Sequence, residues 1–236
     1  MRRSFLSLLR VSSFRTSSRS FASRWRAEKR ERAQIAMESP ETPKIVVDLS
    51  LTHGMTLRET RKLANQIQLI YGSNLNHASP VHLMITSCDE NSLLWKEMSK
   101  GFRHSLKNIP IDFRHDDFWT IFENDLSNLI YLSPDSPNNL VDVNDAKVLV
   151  LGGIVDHQIN KCVSLNRASS HKVATAKLPI LEHFSTQKSY STVLSINQVF
   201  DCLSTYRSSR DWVESLREVI PPRKGFLPRT RLAHPG

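Results

Sequence analysis

From Lys44 onward, short apolar runs alternate with longer segments whose apolar residues recur every three or four positions. Ile45-Val46-Val47-Asp48-Leu49 predicts a short buried strand. Thr56-Leu57-Arg58-Glu59 has the form of a capping box. The helix it opens carries Leu63, Ala64, Ile67, Ile70 and Tyr71 on one side, and Gly72 is expected to end it. A second strand follows at Val81–Thr86, then a helix at Leu93–Phe102 and a third strand at Leu129–Leu132. Lys147–Leu151 (KVLVL) is continuous and apolar, as a parallel strand covered on both faces should be.

Beyond KVLVL the pattern predicts a helix near Asn160–Ser169 and a short strand at Val173–Lys177, with Pro179 starting a turn or helix. A further helix at Ser195–Tyr206 has Ile196, Val199, Phe200 and Leu203 on one side, and Asp211 caps a last helix through Arg217. The tail from Pro221 is basic and expected to be loose, and residues 24–34 read as a short charged helix. Strands alternating with helices mean an α/β fold with a mainly parallel sheet. Such a sheet binds ligands at the C-terminal ends of its strands. The chain divides into a basic extension (1–43), one α/β domain (44–226) and a flexible basic tail (227–236).

Charge changes the picture at one end only. Of the net charge of +9, residues 1–32 supply +8 and the remainder +1, so a nucleic-acid surface on the domain must be a local patch. Residues 1–27 hold seven Arg, eight Ser and no acid. That is the composition of a mitochondrial transit peptide, or of a basic arm that touches RNA phosphates in the nucleus or cytoplasm. No apolar run approaches the roughly 18 residues of a membrane span, so no membrane association is expected.

Several chemistries drop out. Seven glycines form neither a G-x-G-x-x-G nor a G-x-x-x-x-G-K-[ST] pattern, which removes the dinucleotide and P-loop sites. No G-x-S-x-G elbow is present. Cys88, Cys162 and Cys202 lie far apart and the nine histidines show no metal-ligand spacing, so neither a disulfide framework nor a metal site is expected.

Four segments carry candidate chemistry. Leu151-Gly152-Gly153-Ile154-Val155-Asp156 follows the most apolar strand; its glycines admit close backbone approach to a ligand, and a carboxylate stands just beyond. Alone it reads first as a tight strand-to-helix turn with Asp156 as a helix cap. Tyr131-Leu132-Ser133-Pro134-Asp135-Ser136 is a stiff polar loop after another strand. TAKLPI (175–180) and LSINQVF (194–200) each read as a strand end or a helix start.

In this order and spacing, YLSPDS, LGGIVD, TAKLPI and LSINQVF resemble the SPOUT methyltransferases that modify N1 of the purine at tRNA position nine. IVVDLSLTHGM (45–55), IYGSN (70–74) and VIPPRKG (219–225) match too, and FDCLSTY (200–206) is similar to the animal branch called homolog B. The resemblance covers about Lys44 to Phe226. It implies a SPOUT-type parallel sheet flanked by helices with a C-terminal trefoil knot, one of the rare exceptions to unknotted connections. It implies S-adenosylmethionine as cofactor, tRNA as partner, a monomer, and a protein partner if the chain works in mitochondria. Carried over by motif, cofactor contacts fall on Leu132 and Ser133; on Gly152, Gly153, Asp156, His157, Gln158, Ile159, Asn160 and Ser164; and on Leu178, Leu194, Ser195, Ile196 and Asn197.

The chemistry gives the carboxylate a task. Guanine N1 carries a proton at neutral pH, so attack on a methyl sulfonium requires its removal, and Asp156 matches the residue proposed in the family as general base. Adenine N1 is already unprotonated. Asp48 and Gln66 match positions near the target base; otherwise Asp48 is a strand-end cap and Gln66 an exposed helix residue. The basic extension is shorter than is usual in the family. Two functions follow: an active tRNA methyltransferase, or a partner-dependent RNA-binding subunit that keeps the fold and contributes little chemistry.

Overall fold

The computed structural model describes residues 8–102, 105–145, 147–155, 162–186, 192–222 and 225–229. In chain order the elements are α1 (Leu8–Glu38), β1 (Lys44–Asp48), α2 (Leu57–Asn76), β2 (His82–Thr86), α3 (Leu93–Gly101), β3 (Asp112–Phe113), α4 (Phe118–Ile121), β4 (Leu129–Leu132), β5 (Val148–Gly152), α5 (Val163–Ser170), β6 (Ala174–Ala176), α6 (Ile180–His183), β7 (Phe184–Thr186), α7 (Ile196–Ser209), α8 (Trp212–Val219) and β8 (Phe226–Pro228).

Six strands form one parallel sheet in the order β3-β2-β1-β5-β4-β6. β1 sits in the middle, with Asp48 opposite Gly152 of β5. Ile45, Val46 and Val47 are each at most 1% exposed, as a strand covered on both faces requires. Side-chain alternation sorts the core into two layers. Ile45, Val47, Leu132, Leu149 and Leu151 face α2, α3, α7 and α8. Val46, Tyr131, Val148 and Val150 face Phe118 and Ala168.

The helix-flanked parallel sheet is the expected one, and the capping box at Thr56 and Glu59 forms in full. Four expectations are corrected. The charged helix foreseen over 24–34 is part of a 31-residue helix, α1; its Lys29, Ala33 and Ala36 are buried, and the helix packs on α2 and β2. Helix α2 does not stop at Gly72 but runs to Asn76. A helical glycine costs about 1 kcal/mol, and burial of Ile70 and Asn74 on either side outweighs it. Asn74 also ties the helix to β2, donating to Val81 O at 3.0 Å and accepting from Val81 N at 2.9 Å.

Strand β3 was not foreseen, being two residues long. Nor is the tail wholly loose: β8 pairs antiparallel with β7. The trefoil knot depends on the path through 156–161 and 187–191, which lie outside the described residues. Among the described residues no helix is long and apolar enough to cross a membrane, no His, Cys, Asp or Glu group could hold a metal, and the three cysteines are unbridged.

Candidate active site at the strand ends

β4, β5 and β6 end at the same edge, and the segments that follow them enclose a cavity of about 270 Å³. Leu132, Ser133 and Pro134 form one wall, Leu151, Gly152 and Ile154 the floor, Lys177, Leu178 and Ile180 to Glu182 a second wall, and Thr192 to Leu194 with Ile196 and Val199 the third. Its surfaces are mainly aliphatic. Ser133, Lys177, Glu182 and Thr192 place polar groups around that apolar space, the usual make-up of a small-molecule site.

Of the residues nominated from the sequence, Leu132, Ser133, Gly152, Leu178, Leu194 and Ile196 line this cavity together. Ser164 stands behind the wall, its hydroxyl donating to Ser133 Oγ at 2.8 Å. Ser195 caps α7, its N–H donating to Gln198 Oε1 at 3.1 Å. Gly153 turns away: its N–H donates to Asp48 O at 2.8 Å. A Cβ there would lie 2.9 Å from that oxygen, so its bareness serves close packing of β5 on β1. Asp156, His157, Gln158, Ile159 and Asn160 lie outside the described residues.

The opposite face of the same strand ends is polar. Asp48 is fully buried. Its Oδ1 accepts from Ser50 N at 3.0 Å and lies 3.4 Å from Ser87 Oγ. Its Oδ2 accepts from Tyr131 Oη at 3.1 Å and lies 3.8 Å from Arg167 Nε. Burial, and then the Asp48 charge, push the Tyr131 hydroxyl well above its ordinary pKa, which keeps it a neutral donor. Arg167 reaches Asp117 at 3.6 Å and lies over the Trp119 ring at 4.1 Å. Trp119 in turn stacks on His171.

Gln66 and Asn197 face a third place, a shallow groove along α2 shared with Arg58, Arg61 and Lys62. Gln66 is half-buried, and its Oε1 is buried with no hydrogen-bond partner among the described residues. All three cations are exposed, and Arg61 pairs with Glu97 at 3.2 Å. Together they make a local basic patch on a domain that is otherwise nearly neutral.

Sequence reasoning missed Lys177, Ile180, Thr192 and Val199 in the cavity, the three cations of the groove, and Arg167 with Tyr131. Val199 lies one helical turn beyond Ile196, and Lys177 and Ile180 fall inside TAKLPI, so spacing from nominated neighbours could have found them. Arg167 had no such local signal.

Comparison with known proteins identifies the family and the fold. A family model for tRNA (guanine(9)-N(1))-methyltransferase TRM10/TRM10A matches residues 11–225. The tRNA methyltransferase 10 homolog B of Danio rerio is 40% identical over 191 residues, covering 78% of this chain and 60% of that protein. The Homo sapiens homolog B is 38% identical over 194 residues, covering 79% and 60%. The chain thus spans about 60% of the length of these relatives. Among solved structures, full-length spTrm10 in complex with SAH superposes with a TM-score of 0.69 at 29% identity, covering 77% of this chain and 95% of that one. The dual specific Trm10 of Thermococcus kodakaraensis, at 18% identity and a TM-score of 0.59, shares the fold.

Proposed function

The chain belongs to the TRM10/TRM10A family of tRNA (guanine(9)-N(1))-methyltransferases, and from that premise we propose that it methylates N1 of the purine at position nine of tRNA, with S-adenosylmethionine as donor. One observation carries the reading: the loops after β4, β5 and β6 and the start of α7, distant in sequence, close around one apolar cavity with a glycine floor.

That cavity suits the cofactor. Leu132, Leu151, Leu178, Ile180, Ile196 and Val199 offer aliphatic faces to a flat purine, while Ser133, Lys177, Glu182 and Thr192 offer partners for hydroxyl, carboxylate and ammonium groups. The spTrm10 structure holds SAH. When bound, S-adenosylmethionine supplies an electrophilic methyl group on a sulfonium. The protein's own residues do the rest. Gln66 and Asn197, at the groove beside the cavity, orient the target base through their amide groups, and the exposed Arg58 and Lys62 meet the RNA backbone. Asp156, just beyond the described Val155, takes the proton from guanine N1. An adenine target needs no such removal.

A second reading is favoured by one observation, the net charge of only +1 beyond residue 32: the chain binds RNA within a complex and leaves the chemistry to others. Purified protein, labelled S-adenosylmethionine and a panel of tRNA transcripts separate the two. The enzyme reading expects label on N1 of position nine in the protein alone. Bound cofactor and RNA with no label transferred would overturn it in favour of the second.

A further inference from the structure

On the face opposite the cavity, five segments distant in sequence bring polar groups to one point: Asp48 at the end of β1, Ser87 after β2, Asp117 before α4, Tyr131 in β4 and Arg167 in α5. Ser87 adopts a left-handed backbone, φ +54°, a conformation costly for a residue with a Cβ. It hydrogen-bonds Asp117 and faces Asp48, so it stands between the two carboxylates. The Arg167 guanidinium bridges the same two acids, and its Nε is buried without a hydrogen-bond partner among the described residues. Keeping the Asp48 carboxylate wholly buried is expensive in desolvation unless it is paired, while Arg167 and Asp117 stay partly exposed, and the sheet is already covered on this face by Phe118 and Ala168.

Two links run from this cluster to the cofactor cavity. The first passes through α5. Its Ser164 hydroxyl bonds Ser133, a cavity wall, and Cys162 N, just before the helix, donates to Asp135 Oδ2 at 2.8 Å. Arg167, one turn further on, ties the same helix to β1. The second passes through Tyr131, whose hydroxyl would lie 3.0 Å from a Cβ on Gly152 and so supports the cavity floor from below. Asp48, with no exposed surface, contacts neither cavity nor groove directly.

We infer that Arg167 is a positioning residue for the proposed methyl transfer: by bridging Asp48 and Asp117 it fixes α5 against β1, and through Ser164 it sets the Ser133 wall of the cofactor cavity. The inference rests on that cavity being the S-adenosylmethionine site. Asp48 then serves the reaction through Arg167 and Tyr131.

The test uses the full chain, S-adenosylmethionine calorimetry, and single-turnover methylation at saturating cofactor and tRNA. Arg167→Met keeps length and removes the charge; cofactor affinity is expected to fall at least about tenfold, with tRNA affinity unchanged. Arg167→Lys should recover to within about threefold of the wild type, because it restores the charge without the fork. Adding Asp48→Asn to Arg167→Met should cost little beyond the larger single loss, since the two residues act as a unit. A folded Arg167→Met protein with wild-type affinity and rate, or additive losses in the double variant, overturns the inference. If Arg167→Met does not fold, Asp117→Asn decides: about threefold weaker cofactor binding supports the bridge, and unchanged binding overturns it. Wild-type protein that binds no S-adenosylmethionine overturns the functional reading and this inference together, whereas a binding wild type with insensitive variants overturns this inference alone.

Discussion

The two faces of the sheet's C-terminal edge are built from adjacent residues and do opposite things. In β4, Leu132 faces the cavity while Tyr131 faces the ion cluster; in β5, Leu151 and Gly152 both border the cavity, and the bare side of Gly152 is where the Tyr131 hydroxyl comes close. On the first face the side chains are aliphatic and leave space, so a ligand must be held by van der Waals contact, main-chain groups and a few rim polar groups. On the second face the polar groups of Asp48, Ser87, Asp117, Tyr131 and Arg167 meet one another and leave Asp48 wholly covered, while Ser87, Asp117 and Arg167 also border a polar hollow of about 600 Å³. A shift of one residue along a strand thus separates the place that receives a ligand from the support that shapes it.

The largest expected effect leaves both faces intact. Asp156→Asn preserves size and most hydrogen bonding but cannot accept the N1 proton. General bases contribute roughly 100- to 10,000-fold, so single-turnover methylation of a guanine target should fall within that range while cofactor and tRNA affinities hold. Raising the pH should return part of the rate, and an adenine target should lose less. A wild-type rate and pH profile on guanine would make Asp156 a structural cap.

The glycine pair sharpens the contrast. A Cβ on Gly153 would meet Asp48 O at 2.9 Å, Leu49 Cδ2 at 2.9 Å and Val47 Cγ1 at 3.2 Å. Backbone and buried aliphatics cannot yield, so Gly153→Ala should cost about 1–3 kcal/mol of stability, the range for overpacking. On Gly152 the contact at 3.0 Å is the far end of the Tyr131 side chain. Gly152→Ala should therefore melt closer to the wild type while disturbing the Tyr131–Asp48 bond and, with it, cofactor affinity. Equal melting temperatures for the two variants would show that the faces do not differ as described.

How much of this was legible in the chain follows from the same geometry. Strands β1 and β5 stood out because burial on both faces demands a continuous apolar run. Strands β3, β7 and β8 span two or three residues and leave no periodicity to read. The cavity was half legible: Leu132, Gly152, Leu178 and Ile196 sit within motifs that resemblance could match. Thr192 sits outside them, and Val199 reads as an ordinary core position on a helix face. Of the ion cluster only Asp48 left a trace, as a match to a position near the target base. Asp48 reads as a strand-end cap, which it also is, and Arg167 as a solvated helix residue. Tyr131 meets Asp48 across 83 positions, and no local spacing records such a pairing.

Filling the open face tests it directly. Val199 lines the cavity one turn beyond Ile196 and is half-buried. Val199→Trp places an indole in space that the fold leaves vacant, so thermal stability should change little. S-adenosylmethionine affinity should fall about tenfold or more, about 1.4 kcal/mol. Unchanged calorimetric affinity in the folded variant would place the cofactor elsewhere.

The smallest effect lies three strands from Gly152, at the sheet edge, and asks whether the comparison is confined to the strand ends near β5. Asp112 of β3 sits 3.0 Å from His82 Nε2 and 2.7 Å from Arg114 Nε. Burial alone pushes its carboxyl up, but the hydrogen bonds from His82 and Arg114 outweigh that and hold it below its ordinary value. The unfolded chain therefore takes up the proton first as pH falls. The stabilisation is present above the ordinary carboxylate value of about 3.9 and is lost as pH drops through the lower folded value. Asp112→Asn should remove about 1 kcal/mol or less at neutral pH, the scale of a partly exposed ion pair. The melting curves of wild type and variant should converge at the acid end. Cofactor affinity and methylation rate should not move, because neither Asp112 nor His82 borders the cavity or Arg167. A loss of cofactor affinity in this variant, with stability intact at the assay temperature, would mean that the sheet transmits strain from its far edge, and that the division between the two faces of β4 and β5 is not what isolates the site.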